Sequence, residues 1–224
     1  MGSKYIDIAV IVEMREHCDL KPVIENVLFE LKDVNILLFH GNKNKNYILN
    51  VLSEYLEKIS LINLNVDNLT VRQYSNLLLK KSFWNQIKYE RILLFQTDSC
   101  ICNFNEDILL ECQKYDFVGA PSNLINRMYW QNGGFSFRRT RKMIESIDKI
   151  KLNYTVNEDC FFSIKSNKII KVAPFELANK FSVEINYYDK PFGVHKFWNY
   201  HDKDIIKKLV NNNPNLNIFN RFYN

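Results

Sequence analysis

Five short stretches of the chain carry side chains whose types and spacing suit chemistry. In Gln96-Thr97-Asp98-Ser99, short polar groups follow an apolar run and offer oxygens to a hard divalent cation, although a lone Asp at such a place also serves as an Asx-turn or helix N-cap residue. Asn157-Glu158-Asp159 puts two acids in the first turn of a short helix. Compensation of the helix dipole accounts for them, and so does a general base pointing into a cleft. His195, within Pro191-Phe192-Gly193-Val194-His195, follows a Gly-containing turn, where an imidazole can be structural or can close over a ligand or metal. Asn132-Gly133-Gly134 allows close backbone approach to a ligand or makes a hairpin turn. Glu13-Met14-Arg15 places a charged pair directly after the first apolar run.

The elements that must position these residues alternate in type. β-branched or aliphatic runs at 5–12, 35–40, 59–64 and 91–95 read as strands. Between them, apolar residues recur at helical spacing near 23–31, 46–58 and 70–84, with Asp19 as a possible N-cap and Pro22 near a helix start. Such alternation implies a mainly parallel sheet with helices on both faces, and ligands of open parallel sheets bind beyond the carboxyl ends of the strands. Asp98 and Glu13 fall there. The second half is less regular. A short strand at 116–121 is stopped by Pro121, 123–130 reads as a loop, and 134–138 alternates as a strand. Helices follow at 140–150 and from 158 to 165. After fragmentary pieces up to His195, a last helix covers 203–210 before an Asn-rich tail. No repeat or Pro/Ser-rich linker divides the chain, so one α/β domain (core about 5–200) with an irregular C-terminal extension (201–224) is the simplest account.

Composition narrows the function classes. Of 224 residues, 46% are hydrophobic and 25% charged, an ordinary globular balance. No apolar run approaches the length of a membrane span and no secretory signal is evident, so a soluble, cytoplasmic protein without an integral membrane segment is expected. The net charge of +5 comes from scattered Lys and Arg, not a phosphate-neutralising stripe, which argues against nucleic acid as partner. Five Cys without paired Cys-x-x-Cys or Cys/His spacing read as reduced, partly buried thiols, not a disulfide framework or zinc site.

Taken in order, the motifs resemble those of the GT-A glycosyltransferase superfamily: an aspartate motif after an inner strand, a Gly-rich loop, an x-Glu-Asp motif and a late His. Leu94-Phe95-Gln96-Thr97-Asp98-Ser99, Tyr115-Asp116-Phe117-Val118-Gly119-Ala120-Pro121, Asn132-Gly133-Gly134-Phe135-Ser136-Phe137-Arg138, Glu158-Asp159-Cys160-Phe161-Phe162-Ser163 and Pro191 to His195 are similar to a little-characterised group of glycosyltransferase domains. That group also has a Glu-x-Arg element, as at Glu13 and Arg15, and a Tyr74-Ser75-Asn76 segment followed by Phe83-Trp84. The resemblance implies a single GT-A-like, Rossmann-like domain that moves a sugar from a nucleotide diphosphate, a UDP-sugar first among donors, to a hydroxyl on a glycan, lipid or protein. It implies Mn²⁺ or Mg²⁺ held by Asp98 and His195. It makes Asp159 the acceptor base of an inverting reaction, with Glu158 its catalytic neighbour. Glu13, Arg15, Tyr74, Gln96, Thr97, Asn132, Gly133 and Gly134 become donor contacts. Gln96 stands where the motif usually has its first Asp, a departure that bears on metal dependence.

Two other readings share the fold. A sugar nucleotidyltransferase would need a Gly-rich basic loop near the first strand to cradle a triphosphate, and Glu13-Met14-Arg15-Glu16-His17 has no Gly and two acids. An inactive nucleotide-sugar-binding module is kept open by Gln96.

Overall fold

A computed structural model describes residues 4–125, 128–151 and 156–219. Among the described residues nine strands form two sheets: β1 (Ile8–Val12), β2 (Ile36–His40), β3 (Ile59–Asn63), β4 (Arg91–Phe95), β5 (Ser99–Ile101), β6 (Phe117–Ile125), β7 (Met128–Arg139), β8 (Ser182–Val183) and β9 (Gly193–His195). The helices are α1 (Leu20–Glu30), α2 (Lys45–Val51), α3 (Val71–Leu78), α4 (Lys81–Trp84), α5 (Glu106–Cys112), α6 (Thr140–Lys149), α7 (Glu158–Cys160), α8 (Phe175–Phe181) and α9 (Lys203–Asn212).

The main sheet has the order β3-β2-β1-β4-β7-β6. Its first four strands are parallel, and β7 and β6 add antiparallel at one edge. β1 and β2 are buried along their whole length, which explains their unbroken apolar sequences. Two apolar clusters line the faces. One packs α1 and the C-terminal region against Ile11, Leu38 and Phe95; the other packs α3, α4 and α6 against Val10, Phe39 and Leu94. The architecture is the α/β one expected, a mainly parallel sheet with helices on both faces. No described helix is long and apolar enough to cross a membrane.

Several boundaries differ from expectation for local reasons. The helical period at 46–58 breaks at Leu52 into α2 and a 3₁₀ turn, and that at 70–84 splits at Leu79–Lys80 into α3 and α4. Thr70 starts α3 through a reciprocal capping box with Gln73. Pro121 does not end its strand. β6 lies at the sheet edge, where a missing N–H is tolerated, and continues to Ile125 through two register shifts. The expected loop at 123–130 is therefore mostly a long hairpin with β7; residues 126 and 127 lie outside the described residues, as does the tail from 220.

The small sheet, β5-β9-β8, is what brings distant motifs together. β5 pairs antiparallel with β9 in the register Ser99↔His195, so the residues after β4 meet the late His. Asn26 on α1 pins β5 from behind: its amide donates to the Ile101 carbonyl at 3.0 Å and accepts from the Ile101 N–H at 2.8 Å. Asn215 also donates to that carbonyl at 3.1 Å, so the N–H depends on Asn26 alone. Asn26→Ala should therefore cost about 1–3 kcal/mol in urea denaturation, the penalty of one buried unpaired donor; an unchanged midpoint would show that this bond carries no stability.

Candidate functional site

A cavity of about 650 Å³ opens at the carboxyl ends of β1 and β4. It is lined by Glu13, Arg15, Tyr74, Gln96, Thr97, Asp98, Asn132, Gly133, Gly134, Glu158, Asp159 and His195, the residues to which the resemblance gives a role; Ser99 does not line it. Val12, Met14, Asn68 to Val71, Ser75, Trp130, Asn157 and Lys196 complete the wall. Six chain segments thus converge: the end of β1, the start of α3 with the residues before it, the turn from β4 to β5, the middle of β7, the start of α7 and the end of β9.

On one wall, the His195 ring stands between acidic groups. Its Nε2 lies 3.1 Å from Gln96 Oε1 and 3.3 Å from Asp98 Oδ1. The contact with Asp98 is at ion-pair distance but off the hydrogen-bonding angle, so Asp98 Oδ1 is buried without a hydrogen-bond partner. On the far side of the ring, Nδ1 is 3.2 Å from Glu184 Oε1. Burial pushes the Asp98 carboxyl upward, but the His195 contact and charge, with Lys196 beyond, outweigh it and hold it at about 2. Burial works against the imidazolium, and Asp98 and Glu184 together overcome it to raise His195 to about 9.

Neighbouring ligands of an octahedral Mg²⁺ bound at 2.0–2.1 Å lie about 3 Å apart, close to the spacings of Gln96 Oε1 and Asp98 Oδ1 from His195 Nε2. Two oxygens, one of them buried and unpaired, plus an imidazole nitrogen form a donor set that fits Mn²⁺ or Mg²⁺. A second grouping, not foreseen when the Cys and His spacing was read, brings ligand atoms of His17, Cys18 and Asp19 within 4.8 Å. These are consecutive residues in one turn, and His17 Nδ1 already accepts the Asp19 N–H. All five Cys are free, with Cys100, Cys102 and Cys112 buried and Cys18 exposed.

The opposite wall is built on a buried ion pair. Arg138, fully buried on β7, gives Nη1 to Glu158 Oε2 at 2.8 Å and Nη2 to Glu158 Oε1 at 3.2 Å and to the Gly133 carbonyl at 3.0 Å; its Nε donates to Ser136 Oγ at 2.8 Å. The guanidinium sits over the rings of Phe117, Phe162 and Trp84 at 4.8, 5.7 and 5.8 Å. Glu158 is thereby committed to Arg138, while its neighbour Asp159 has one oxygen on the Cys160 N–H at 2.8 Å. Burial, then the negative charge of Glu158, push Asp159 up to about 7.

Neither Gly of Asn132-Gly133-Gly134 makes a hairpin turn, and neither has positive φ; both lie within β7. What requires them is space. A Cβ on Gly133 would collide with the Arg138 guanidinium and the Glu158 carboxylate, and one on Gly134 with the His195 ring. The Asn132 side chain accepts the Gly134 N–H at 2.8 Å and fixes the local bend. At the end of β1, Glu13 grips Arg15 bidentately at 2.8 and 2.7 Å and accepts from Thr97 Oγ1 at 3.3 Å, leaving the Arg15 side chain 56% exposed in the cavity mouth. Tyr74 brings a buried hydroxyl without a partner to the cavity wall, and burial raises its pKa.

The sequence reading missed Arg138 as an organiser and Glu184 as the partner behind His195. The signals were a charged residue ending an alternating apolar strand and an acid directly after the apolar Phe181-Ser182-Val183.

Against this geometry, comparison with known proteins places the chain in a family: it belongs to the one described as Protein of unknown function (DUF5672), whose match covers residues 58–195. No curated protein matches it. Among solved structures it is similar to the glycosyltransferase GlyE of Streptococcus pneumoniae TIGR4, with TM-score 0.58 and 10% identity over 96% of this chain and 62% of that one. It thus spans less than two thirds of that protein. It is also similar to 4-diphosphocytidyl-2C-methyl-D-erythritol synthase of Anaerococcus prevotii DSM 20548, with TM-score 0.51 and 14% identity over 94% of this chain and 99% of that one. At these identities the likeness is one of fold: the chain has a GT-A-like fold.

The ion pair gives a direct test. Arg138→Met leaves Glu158 buried and unpaired, and should cost about 3–5 kcal/mol in urea denaturation; the double variant Arg138→Met/Glu158→Leu should recover much of that loss. A single variant as stable as the unaltered chain would show that the pair organises nothing.

Proposed function

We propose that this DUF5672 chain is a glycosyltransferase that moves a sugar from a nucleotide diphosphate, a UDP-sugar first among candidates, to a hydroxyl acceptor with inversion. The observation that carries the reading is the division of one cavity into two carboxylates of opposite character. Asp98, held at about 2, is ionised at any working pH, and Asp159, at about 7, is poised to take a proton near neutrality.

Asp98, Gln96 and His195 would hold Mn²⁺ or Mg²⁺, which when bound neutralises the charge that gathers on a departing diphosphate. Glu13 holds Arg15 at the cavity mouth, where the guanidinium reaches the nucleoside or its phosphates. Tyr74 and Thr97 offer hydroxyls along the same wall. Asp159 accepts the proton of the acceptor hydroxyl on its carboxylate as that oxygen attacks the anomeric carbon. The bond between the anomeric carbon and the diphosphate oxygen breaks in the same step, its electron pair leaving with the diphosphate. Glu158 does not touch the acceptor in this scheme. Bound to Arg138, it positions Asp159 and keeps its pKa high. A positioned base contributes roughly 10²–10⁴-fold.

Nucleotidyl transfer from a triphosphate is less well served, because the turn after β1 presents the Glu13–Arg15 pair and Glu16 instead of a glycine-rich basic cradle.

Thermal melting with a panel of nucleotide sugars, with and without Mn²⁺, tests the reading. A donor at a hundred times its dissociation constant should add about 2.7 kcal/mol, or roughly 5–10 °C for a chain of this size. Asp98→Ala should abolish the metal-dependent part of that rise. If no nucleotide sugar raises the melting temperature with Mn²⁺ present, the proposal falls and a non-catalytic module takes its place.

Asp159→Asn should keep donor binding and lose transfer by about 10²–10⁴-fold. In the unaltered enzyme, kcat/KM should rise with pH through about 7 and level off above it, because Asp159 must be ionised to accept a proton. Its folded pKa is above the ordinary 3.8, so burial of the charge disfavours the native state progressively as pH rises from about 4 to 7. Asp159→Asn should therefore melt higher than the unaltered chain at pH 8 and show little difference at pH 4. Retained transfer in that variant would assign the base elsewhere.

A further inference from the structure

We infer that Glu184 is a positioning residue of this site: from behind His195 it fixes the ring so that Nε2 is the nitrogen presented to the cation. The inference rests on the reading of Asp98, Gln96 and His195 as a divalent-cation site. Glu184 follows β8, and the parallel pairing Ser182↔Gly193 and Val183↔Val194 carries it alongside His195. It is 1% exposed, and neither of its oxygens has a hydrogen bond. The positively charged or polar groups that reach it are His195 Nδ1 at 3.2 Å and Lys196 Nζ at 3.8 Å. A buried carboxylate so sparsely partnered carries a large desolvation cost, and a residue present only for packing would be apolar.

Glu184 does not line the cavity, so substrate does not touch it, and whatever it contributes passes through the imidazole. When a cation displaces the Nε2 proton, an acid on the Nδ1 side holds the remaining ring proton there, directs the Nε2 lone pair toward Asp98 and Gln96, and makes that nitrogen a better ligand. The Nε2 end of the ring passes close to the backbone of Gly134, where a methyl group would overlap Nε2, Cε1 and Cδ2. His195 is thus held between a glycine and a buried acid, in one orientation.

Titration of Mn²⁺ into the unaltered chain, followed by the electron paramagnetic resonance of free Mn²⁺, reads affinity without requiring turnover. Glu184→Leu should weaken binding by about 10–100-fold, the usual effect of removing a group that orients a ligating His. Glu184→Gln, which keeps an oxygen for the Nδ1 proton, should recover most of it. Long-range ¹H–¹⁵N spectra of the unaltered chain with Mg²⁺ should show the His195 proton on Nδ1, a measurement that needs no variant to fold. A Glu184→Leu variant that binds Mn²⁺ as well as the unaltered chain would overturn the inference and leave the cation site standing, whereas a proton on Nε2 would overturn the inference and remove His195 from the ligands as well. If the unaltered chain binds no Mn²⁺ at all, the inference and the cation site beneath it fall together.

Discussion

The site depends first on a guanidinium buried where water cannot reach it. Arg138 satisfies its charge with Glu158 and spends its remaining donors on Ser136 and the Gly133 carbonyl, while aromatic rings close around it. That one side chain ties the middle of β7 to the start of α7, and so fixes the distance between the Gly-rich segment and Asp159. Its geometry leaves no room for a Cβ at position 133. It also sets an electrostatic condition. Glu158, held by Arg138 beside Asp159, sets a negative charge against a second carboxylate that is already penalised by burial. The structural bolt and the tuning of the candidate base are the same interaction.

The opposite wall shows how far environment separates like groups. Asp98 and Asp159 share a cavity and are both half-buried, yet the first is pulled down by the imidazole against the cost of desolvation and the second pushed up by desolvation and then by its neighbour Glu158. Two carboxylates of identical chemistry thus come to differ in how readily each takes a proton. Divergence of this kind between neighbouring acids is the pattern by which one site can hold charge and move a proton at the same pH.

Much of this was legible in the sequence because it followed from local rules. Unbroken apolar runs marked β1, β2 and β4, and the rule that ligands gather at strand carboxyl ends pointed to Asp98 and Glu13. The residues to which the resemblance gives a role converge on one cavity. What the sequence concealed was set by pairing between distant segments. Pro121 reads as a strand terminator until β6 is known to be an edge strand. Gly133 and Gly134 read as a turn because the side chains that need their space, Arg138 and His195, approach from across the fold. Helical periods at 46–58 and 70–84 looked continuous because apolar spacing survives a break that packing imposes. Glu184 was invisible for a related reason: an acid after a short apolar run carries no mark of the imidazole it will face.

Gln96 in place of an acid looks, from sequence, like the loss of a charge that a divalent cation would need. The geometry alters that reasoning. A cation seated by Asp98, Gln96 and His195 would meet one carboxylate directly and a second, Glu184, through the imidazole ring. A charge placed behind a histidine still strengthens that ligand, and it does so without occupying a coordination position or facing the phosphates of a donor. The neutral amide at 96 then lowers the negative potential that an incoming diphosphate must approach, while the total count of acids around the cation stays at two. On this account the substitution moves a charge outward by one layer instead of removing it, so Gln96 alone is not grounds for reading the domain as inactive.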